Sequence, residues 1–152
     1  MREKVLVIGA GIGGLCTALL LAPSGREIVM IERDGPLDTS DPDELFRNWK
    51  RNGVAHLRQS HAFLARLRVI MKEEHPALIE QLLANGVREL PFDIWLTEQQ
   101  EQDYQPEPED EDLTMITSRR TTLEMTMRNY AEKLPNVTLQ CGFRVERLLT
   151  RK

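Results

Sequence analysis

The sequence predicts an α/β fold in which short buried strands, joined by helices, form a parallel sheet. Two observations carry this prediction. An apolar run at residues 5–8 leads through closely spaced glycines into an apolar segment that suits a helix. A second short run, rich in β-branched residues, follows at 27–31 after a Pro-Ser-Gly sequence at 23–25 that is typical of a helix end. Strand, turn, helix and strand in this order indicate a β-α-β unit, whose crossover should be right-handed.

The turn after the first strand carries the motif G-x-G-x-x-G at Gly9, Gly11 and Gly14. In such a turn the first glycine allows a sharp bend, the second lets a pyrophosphate approach the backbone, and the third lets helix and strand pack closely. The N-terminus of the following helix presents unpaired N–H groups and the positive end of its dipole, which favour a phosphate. Because glycines at this spacing are common, the neighbouring residues must decide whether the motif binds a nucleotide.

An acidic residue at the end of the second strand supports the nucleotide interpretation. Glu32 lies 32 − 9 = 23 positions after Gly9. Dinucleotide-binding units carry an acid about 20 positions after the glycines, where it accepts hydrogen bonds from the adenosine ribose. A carboxylate at this position repels a 2′-phosphate, so FAD or NAD fits better than NADP. The sequence therefore predicts a Rossmann-like dinucleotide-binding domain of three layers, against the alternative of a β-α-β crossover without a ligand.

The composition of the chain argues against several other classes of protein. The chain has 152 residues, of which 41% are apolar and 29% charged, a balance that can build a core and is not typical of disorder. The uncharged run at 5–22 is long enough to suggest a membrane span or signal peptide, but its four glycines and the strand that follows argue against both. The two cysteines, Cys16 and Cys141, and three histidines form no disulfide or metal pattern. We therefore expect a cytoplasmic protein with no metal site, no membrane span and no nucleic-acid partner.

The region from 34 to 112 is predicted to leave the sheet. Asp41 and Pro42 predict the N-terminus of a short helix that ends near Trp49. Apolar periodicity predicts further helices at about 60–74 and 77–85, and therefore a helical excursion over 42–86. Short strands are expected at 87–90 and 92–97. The stretch at 99–112, in the most acidic part of the chain, is expected to be a solvated loop, with an acidic docking site as the alternative.

The rest of the chain returns to the strand and helix pattern. A strand is expected at 113–117, a helix after the basic sequence at 118–120, and strands at 137–140 and 143–149. Strands near 4–8, 27–31 and either 113–117 or 137–140 should lie side by side, with the first strand away from a sheet edge.

Three segments together resemble a known family. They are Gly-Ala-Gly-Ile-Gly-Gly-Leu at 9–15, Ile-Glu-Arg at 31–33, and Ser-Arg-Arg-Thr-Thr-Leu-Glu at 118–124 with Pro-Asn-Val at 135–137. In this order they resemble the FAD-dependent monooxygenases of the para-hydroxybenzoate hydroxylase type, within the glutathione-reductase-like flavoproteins. The segment from Gly53 to Arg58 and His61 is in addition similar to a segment in one branch of that family that reaches the flavin. The resemblance covers the whole chain, but only the opening part of the longer family sequence.

The resemblance implies roles for individual residues. The glycine turn would lie against the FAD pyrophosphate through Gly9, Gly11, Ile12, Gly13 and Gly14. Glu32 would bind the adenosine ribose and Arg33 would flank the adenine. Arg58 and Arg119 would approach the pyrophosphate or the flavin, with ordinary surface or ion-pair roles as the alternative. His56 and His61 are expected to be structural, and no residue is assigned as a catalytic acid or base.

The implied function is that of the FAD-binding part of a flavin-dependent oxidoreductase, a monooxygenase that uses NAD(P)H and oxygen on a small organic substrate. The family's later flavin-contacting segments would lie beyond residue 152, so we expect residues 1–152 to form an incomplete FAD/NAD(P)-binding domain. Such a chain should be inactive alone and could need a missing C-terminal partner segment. An NAD-dependent oxidoreductase and a non-catalytic dinucleotide-binding module remain alternatives, as do flavin-dependent halogenases and isoprenoid reductases.

Overall fold

The computed structural model describes residues 3–149, which form strands and helices in mixed order. Those residues divide into two compact units, one containing 3–55 and 124–149 and the other containing 56–123. In chain order the elements are β1 (Lys4–Ile8), α1 (Ile12–Leu21), a 3₁₀ turn (Ala22–Ser24), β2 (Glu27–Glu32), α2 (Pro42–Asn48), β3 (Ser60–Phe63), α3 (Ala65–Glu74), α4 (Pro76–Ala84), β4 (Arg88–Leu90), a 3₁₀ turn (Phe92–Trp95), α5 (Glu98–Asp103), a 3₁₀ turn (Pro108–Leu113), β5 (Met115–Arg119), α6 (Arg120–Ala131) and β6 (Val137–Cys141).

The first unit contains a parallel sheet in the order β1-β2-β6. This confirms the α/β class, the parallel sheet and the placement of the 137–140 segment beside the second strand. The alternative partner, the strand near 113–117, belongs to the other unit as β5. Strand β1 lies at the edge of the sheet, so the expectation that it would lie away from an edge is wrong for the described residues. Local sequence specifies that a segment is a strand, whereas its place in the sheet depends on long-range pairing.

The two faces of this sheet differ in burial. Val7 and Met30 are opposite each other in the register and are both buried, as is Leu15 of α1. On the other face, Leu6 and Ile8 remain 51% and 52% exposed. The face that carries Val7 is therefore part of the core, while the opposite face of β1 is a partly uncovered apolar surface.

The second unit contains an antiparallel sheet in the order β3-β5-β4, together with α3, α4 and α5. The expected helix at 60–74 is wrong at its beginning, because Ser60–Phe63 pairs with β5 and the helix starts only at Ala65. Pairing with a distant strand here overrides a helix-compatible local pattern. The segment at 92–97, expected as a strand, forms a 3₁₀ turn after Pro91. Proline has no N–H to continue a strand ladder, which explains why β4 ends before it.

The acidic segment is exposed but is not an irregular loop. A capping box between Thr97 and Gln100 starts helix α5, and a 3₁₀ turn follows at Pro108–Leu113. Arg68 of α3 holds this turn, since its Nη1 donates to the carbonyl oxygen of Glu111 at 3.2 Å. Arg68 and Lys72 also contact the Glu111 carboxylate. Local capping and these long-range contacts therefore order a segment whose composition suggested a solvated loop.

The segment at 143–149, expected as a strand, has no strand assignment. The chain still lies beside the end of β2 where this segment begins. The N–H groups of Gly142 and Phe143 donate to the carbonyl oxygens of Asp34 and Glu32, respectively. Beyond Phe143 no strand among the described residues pairs with the segment, and a strand requires such pairing.

Candidate functional site

The glycine turn between β1 and α1 has the geometry that the motif predicts. Gly9 has a φ of +95°, a conformation that side chains disfavour, and its N–H donates to the carbonyl oxygen of Ile31 at 2.7 Å. A Cβ on Gly14 would lie 1.9 Å from the carbonyl oxygen of Gly9. These two glycines are therefore required by the backbone itself, whatever the turn binds.

Gly11 and Gly13 are in a different position, because the folded chain leaves room beside them. A Cβ on Gly11 would meet only the Arg51 side chain, at 3.9 Å, and a Cβ on Gly13 would meet nothing within 4 Å. Gly11 is the N-cap of α1, and no side chain among the described residues caps it. The first N–H groups of the helix, beginning at Ile12, are thus available to a ligand.

A cavity of about 420 Å³ lies beside this turn, at the carboxyl ends of the strands. The turn contributes Gly9 and Gly11, and the end of β2 contributes Ile31, Glu32 and Arg33. Residues 143–145, which follow β6, form part of the wall together with Arg51. Ligands of open α/β sheets bind at this end of the strands, so the cavity is in the expected place for a binding site.

Glu32 lies at this cavity but is only 3% exposed. Its Oε2 accepts hydrogen bonds from the N–H of Ala10 at 2.8 Å, Arg51 Nη2 at 2.7 Å and Arg128 Nη2 at 3.3 Å. Its Oε1 accepts one hydrogen bond, from the N–H of Asp34 at 3.1 Å. Burial alone would raise the pKa of Glu32, but the two backbone donors and the two arginines outweigh it and lower the pKa.

Arg51 is a functional candidate that the sequence did not reveal. Its guanidinium donates to Asp34 through Nε at 3.0 Å, to Glu124 through Nη1 and to Glu32 through Nη2. The side chain is almost fully buried yet lines the cavity. Three carboxylates therefore hold one arginine beside the glycine turn, a rigid arrangement that can present a donor to phosphate or ribose oxygens.

Arg33 lies at the rim of the same cavity, as a residue flanking a nucleotide should. It is exposed, and its Nη2 donates to the carbonyl oxygen of Asn52. Gly53 has a φ of +92°, and a Cβ there would lie 2.5 Å from Arg33 Nη2. The segment around Gly53 thus packs closely against Arg33, but its contact with adenine stays a prediction.

Arg58 and Arg119 belong to the second unit. Arg119 ends β5 opposite Ser60, and both arginines are exposed. In the same unit, Arg120 contacts His56, whose ring centroid lies 5.2 Å from that of His61. The proposed approach of Arg58 and Arg119 to a pyrophosphate or flavin therefore stays a prediction.

The site residues that sequence reasoning missed are Arg51, Arg128 and the 143–145 segment. Arg51 precedes an Asn-Gly pair in a polar stretch without periodicity, and Arg128 occupies one position in a helix with many apolar neighbours. Neither has a motif around it. Among the described residues there is also no group of three or more His, Cys, Asp or Glu side chains that could hold a metal ion, and no helix is long and apolar enough to cross a bilayer.

Comparisons with known proteins agree with the fold of the first unit. A family model described as an NAD(P)-binding Rossmann-like domain matches residues 7–41, which contain the turn, β2 and Glu32. The fold of the chain is Rossmann-like. A search of curated protein sequences finds no significant match.

Several solved structures share this fold. PqsL, a probable FAD-dependent monooxygenase from Pseudomonas aeruginosa, is 13% identical with a TM-score of 0.63, over 100% of this chain and 36% of that one. The p-nitrophenol 4-monooxygenase PnpA from Pseudomonas putida is 17% identical with a TM-score of 0.58, over 93% and 32%. The Diels-Alderase PyrE3 is 17% identical with a TM-score of 0.62, over 99% and 27%. The chain spans about a third of the length of these structures, and at such identities the likeness shows the fold alone.

Proposed function

We propose that the first unit binds the adenosine diphosphate part of FAD and that the chain is the FAD-binding part of a flavin-dependent oxidoreductase. The observation that carries the proposal is the uncapped N-terminus of α1, where Gly11 and Gly13 leave open space beside a cavity of about 420 Å³. A pyrophosphate needs close backbone approach and N–H donors, and both are available here.

The residues of the site have distinct expected tasks in this proposal. The N–H groups that follow Gly11 would donate to the pyrophosphate. Arg51 would donate to phosphate or ribose oxygens from its fixed position beside the turn. Glu32 would meet the ribose through Oε1, which accepts a hydrogen bond from Asp34 within residues 3–149 and can accept another. Residues 143–145 would form the wall beside the adenosine.

The reaction class is proposed from the structural neighbours. PqsL and PnpA are called monooxygenases, and bound flavin would supply the chemistry with NAD(P)H and oxygen. The described residues of the first unit would bind and orient the adenosine end of the cofactor. The same fold also occurs in PyrE3, which is called a Diels-Alderase, so the fold alone does not fix the reaction.

Further polypeptide is proposed to complete the first unit. Strand β1 is at an edge of the sheet, and Leu6 and Ile8 on one of its faces are about half exposed. An exposed apolar edge strand is a template for pairing with another strand. A C-terminal segment, or a partner chain that supplies one, would cover this edge and provide walls for the flavin ring. The chain alone should therefore hold FAD weakly and show no NAD(P)H-dependent oxygen consumption.

An NAD-binding protein is the second candidate, favoured by the description of the family model that matches residues 7–41. Both candidates use the ADP part of their ligand at the glycine turn, but they differ at the other end. Isothermal titration of the 152-residue chain with ADP, FAD and NAD separates them. Comparable binding of all three would support a module that recognises only ADP.

Gly11→Ala tests the binding site itself. The new methyl group fits the folded chain but would intrude on a ligand at the turn. Overpacking by one methyl costs about 1–3 kcal/mol, so affinity for ADP and FAD should fall about 5- to 150-fold. Gly35→Ala is the matched control, because a Cβ at Gly35 would meet nothing within 4 Å and Gly35 does not line the cavity beside the turn. Equal ligand affinity in the two variants would refute binding at this turn.

A further inference from the structure

One residue of the glycine turn is held by charged side chains through both of its backbone polar groups. Ala10, between Gly9 and Gly11, donates its N–H to Glu32 Oε2 at 2.8 Å. Its carbonyl oxygen accepts a hydrogen bond from Arg128 Nε at 3.2 Å. Arg128 Nη2 also contacts Glu32 Oε2, at 3.3 Å, so the two side chains close a ring of contacts around Ala10. The N–H belongs to the peptide group between Gly9 and Ala10 and the carbonyl to the one between Ala10 and Gly11, so the clamp contacts two successive peptide groups of the turn.

Stability gives a poor explanation for Arg128. The side chain is 1% exposed, and its Nη1 has no hydrogen-bond partner among residues 3–149. Burial lowers the pKa of Arg128, with the like charge of Arg51 acting in the same direction. A buried ion pair is often no more stabilising than apolar side chains of similar volume in place of both partners. Leu123, Met125 and Met127 show that apolar residues are readily accommodated in this part of α6.

Trp49 restrains the guanidinium further. The Arg128 guanidinium carbon lies 5.2 Å from the centre of the Trp49 ring, and that of Arg51 lies 5.3 Å from it. Such cation–π contacts offset part of the burial penalty and restrict the planes of both arginines. Arg128 is therefore fixed in direction as well as in place, as it must be to hold the Ala10 carbonyl in one direction.

We propose that Arg128 is a positioning residue that orients the glycine turn for phosphate binding, by holding the Ala10 carbonyl while Glu32 holds the Ala10 N–H. The inference rests on the proposed nucleotide site and goes beyond it, because it assigns this role to a residue that need not touch the ligand. With Ala10 held from both sides, the N–H groups after Gly11 point to the cavity before a ligand arrives. Preorganised donors bind a phosphate more strongly than donors that must first be ordered.

The test uses the complete 152-residue chain with Arg128→Met, Arg128→Lys and, as a buried-arginine control from the second unit, Arg68→Met. Thermal unfolding measures stability, and isothermal titration measures binding of ADP and of adenosine, which lacks phosphates. Arg128→Met should unfold at a lower temperature, because the Ala10 carbonyl loses its donor and Glu32 loses one of its two arginines. Its ADP affinity should fall about tenfold, the equivalent of one lost hydrogen bond or slightly more. Adenosine affinity should change less than the ADP affinity.

Arg128→Lys should lie between the wild type and Arg128→Met in ADP affinity, because one ammonium group cannot hold the Ala10 carbonyl as the guanidinium does. Arg68→Met should leave the ADP affinity unchanged. A variant that loses ADP and adenosine affinity by equal factors overturns the positioning role, and Arg128→Lys, which keeps the charge, provides this comparison where Arg128→Met does not fold. A wild-type chain that binds no ADP refutes the proposed function instead, and the inference with it.

Discussion

Neutralising Glu32 should destabilise the first unit strongly. In Glu32→Gln, Arg128 loses the carboxylate that it contacts, whereas Arg51 keeps Asp34 and Glu124. Removing one partner of a buried ion pair costs about 3–5 kcal/mol, and because Arg51 stays paired we expect a value near the lower end, about 3 kcal/mol. The amide also places a donor where either an arginine or a backbone N–H requires an acceptor.

Equilibrium denaturation followed by tryptophan fluorescence measures this loss, because Trp49 lies against both arginines. Trp95, which is 62% exposed, contributes a background that should change little. Glu27→Gln is the matched control, since Glu27 forms an exposed ion pair with Lys4 and should contribute about 0–1 kcal/mol. Equal stabilities of the two variants would refute the argument that the Glu32 cluster supports the fold.

Three further outcomes follow from the same geometry. The pKa of Glu32 is lowered in the folded chain, so the carboxylate stabilises the fold above the unfolded pKa of about 4.3, and this contribution is lost as pH falls through the folded pKa. When the free energy of unfolding is measured as a function of pH, the wild type should lose more of it on acidification than Glu32→Gln. Gly14→Ala should destabilise by on the order of 3 kcal/mol because its Cβ would overlap the Gly9 carbonyl, whereas Gly13→Ala should leave the melting temperature nearly unchanged. Leu6→Lys should reduce concentration-dependent self-association in light scattering, and an unchanged profile would show that the β1 surface does not drive association.

The proposed roles of Glu32 place two demands on one carboxylate. It supports the turn through Ala10 and two arginines, and it is expected to accept a ribose hydroxyl. Loss of ligand binding in a Glu32 variant therefore does not by itself prove ribose contact. Comparing ADP with 2′-deoxy-ADP in the wild type isolates that contact, because the protein is unchanged between the two measurements.

Local interactions explain why parts of the site could be predicted. The strand, the glycine turn, α1 and the position of Glu32 follow from residues close together in sequence. Gly9 and Gly14 are fixed by backbone conformation and by contact within one turn, which a motif can record. Asp41 caps α2 through the N–H groups of Asp43 and Glu44, an interaction over two or three residues.

What the sequence determined by itself was the β-α-β unit with its glycine turn and terminal acid, because hydrophobic pattern and glycine stereochemistry are local properties. The tertiary structure alone decided that β1 lies at a sheet edge, that Ser60–Phe63 is a strand, and that Arg51 and Arg128 meet at Glu32. Arg128 and Glu32 are 96 residues apart, and no periodicity relates them. Their contact exists because the fold brings Glu32, at the end of β2, and Arg128, in α6, to one end of the sheet. Burial there makes each charge depend on its partners.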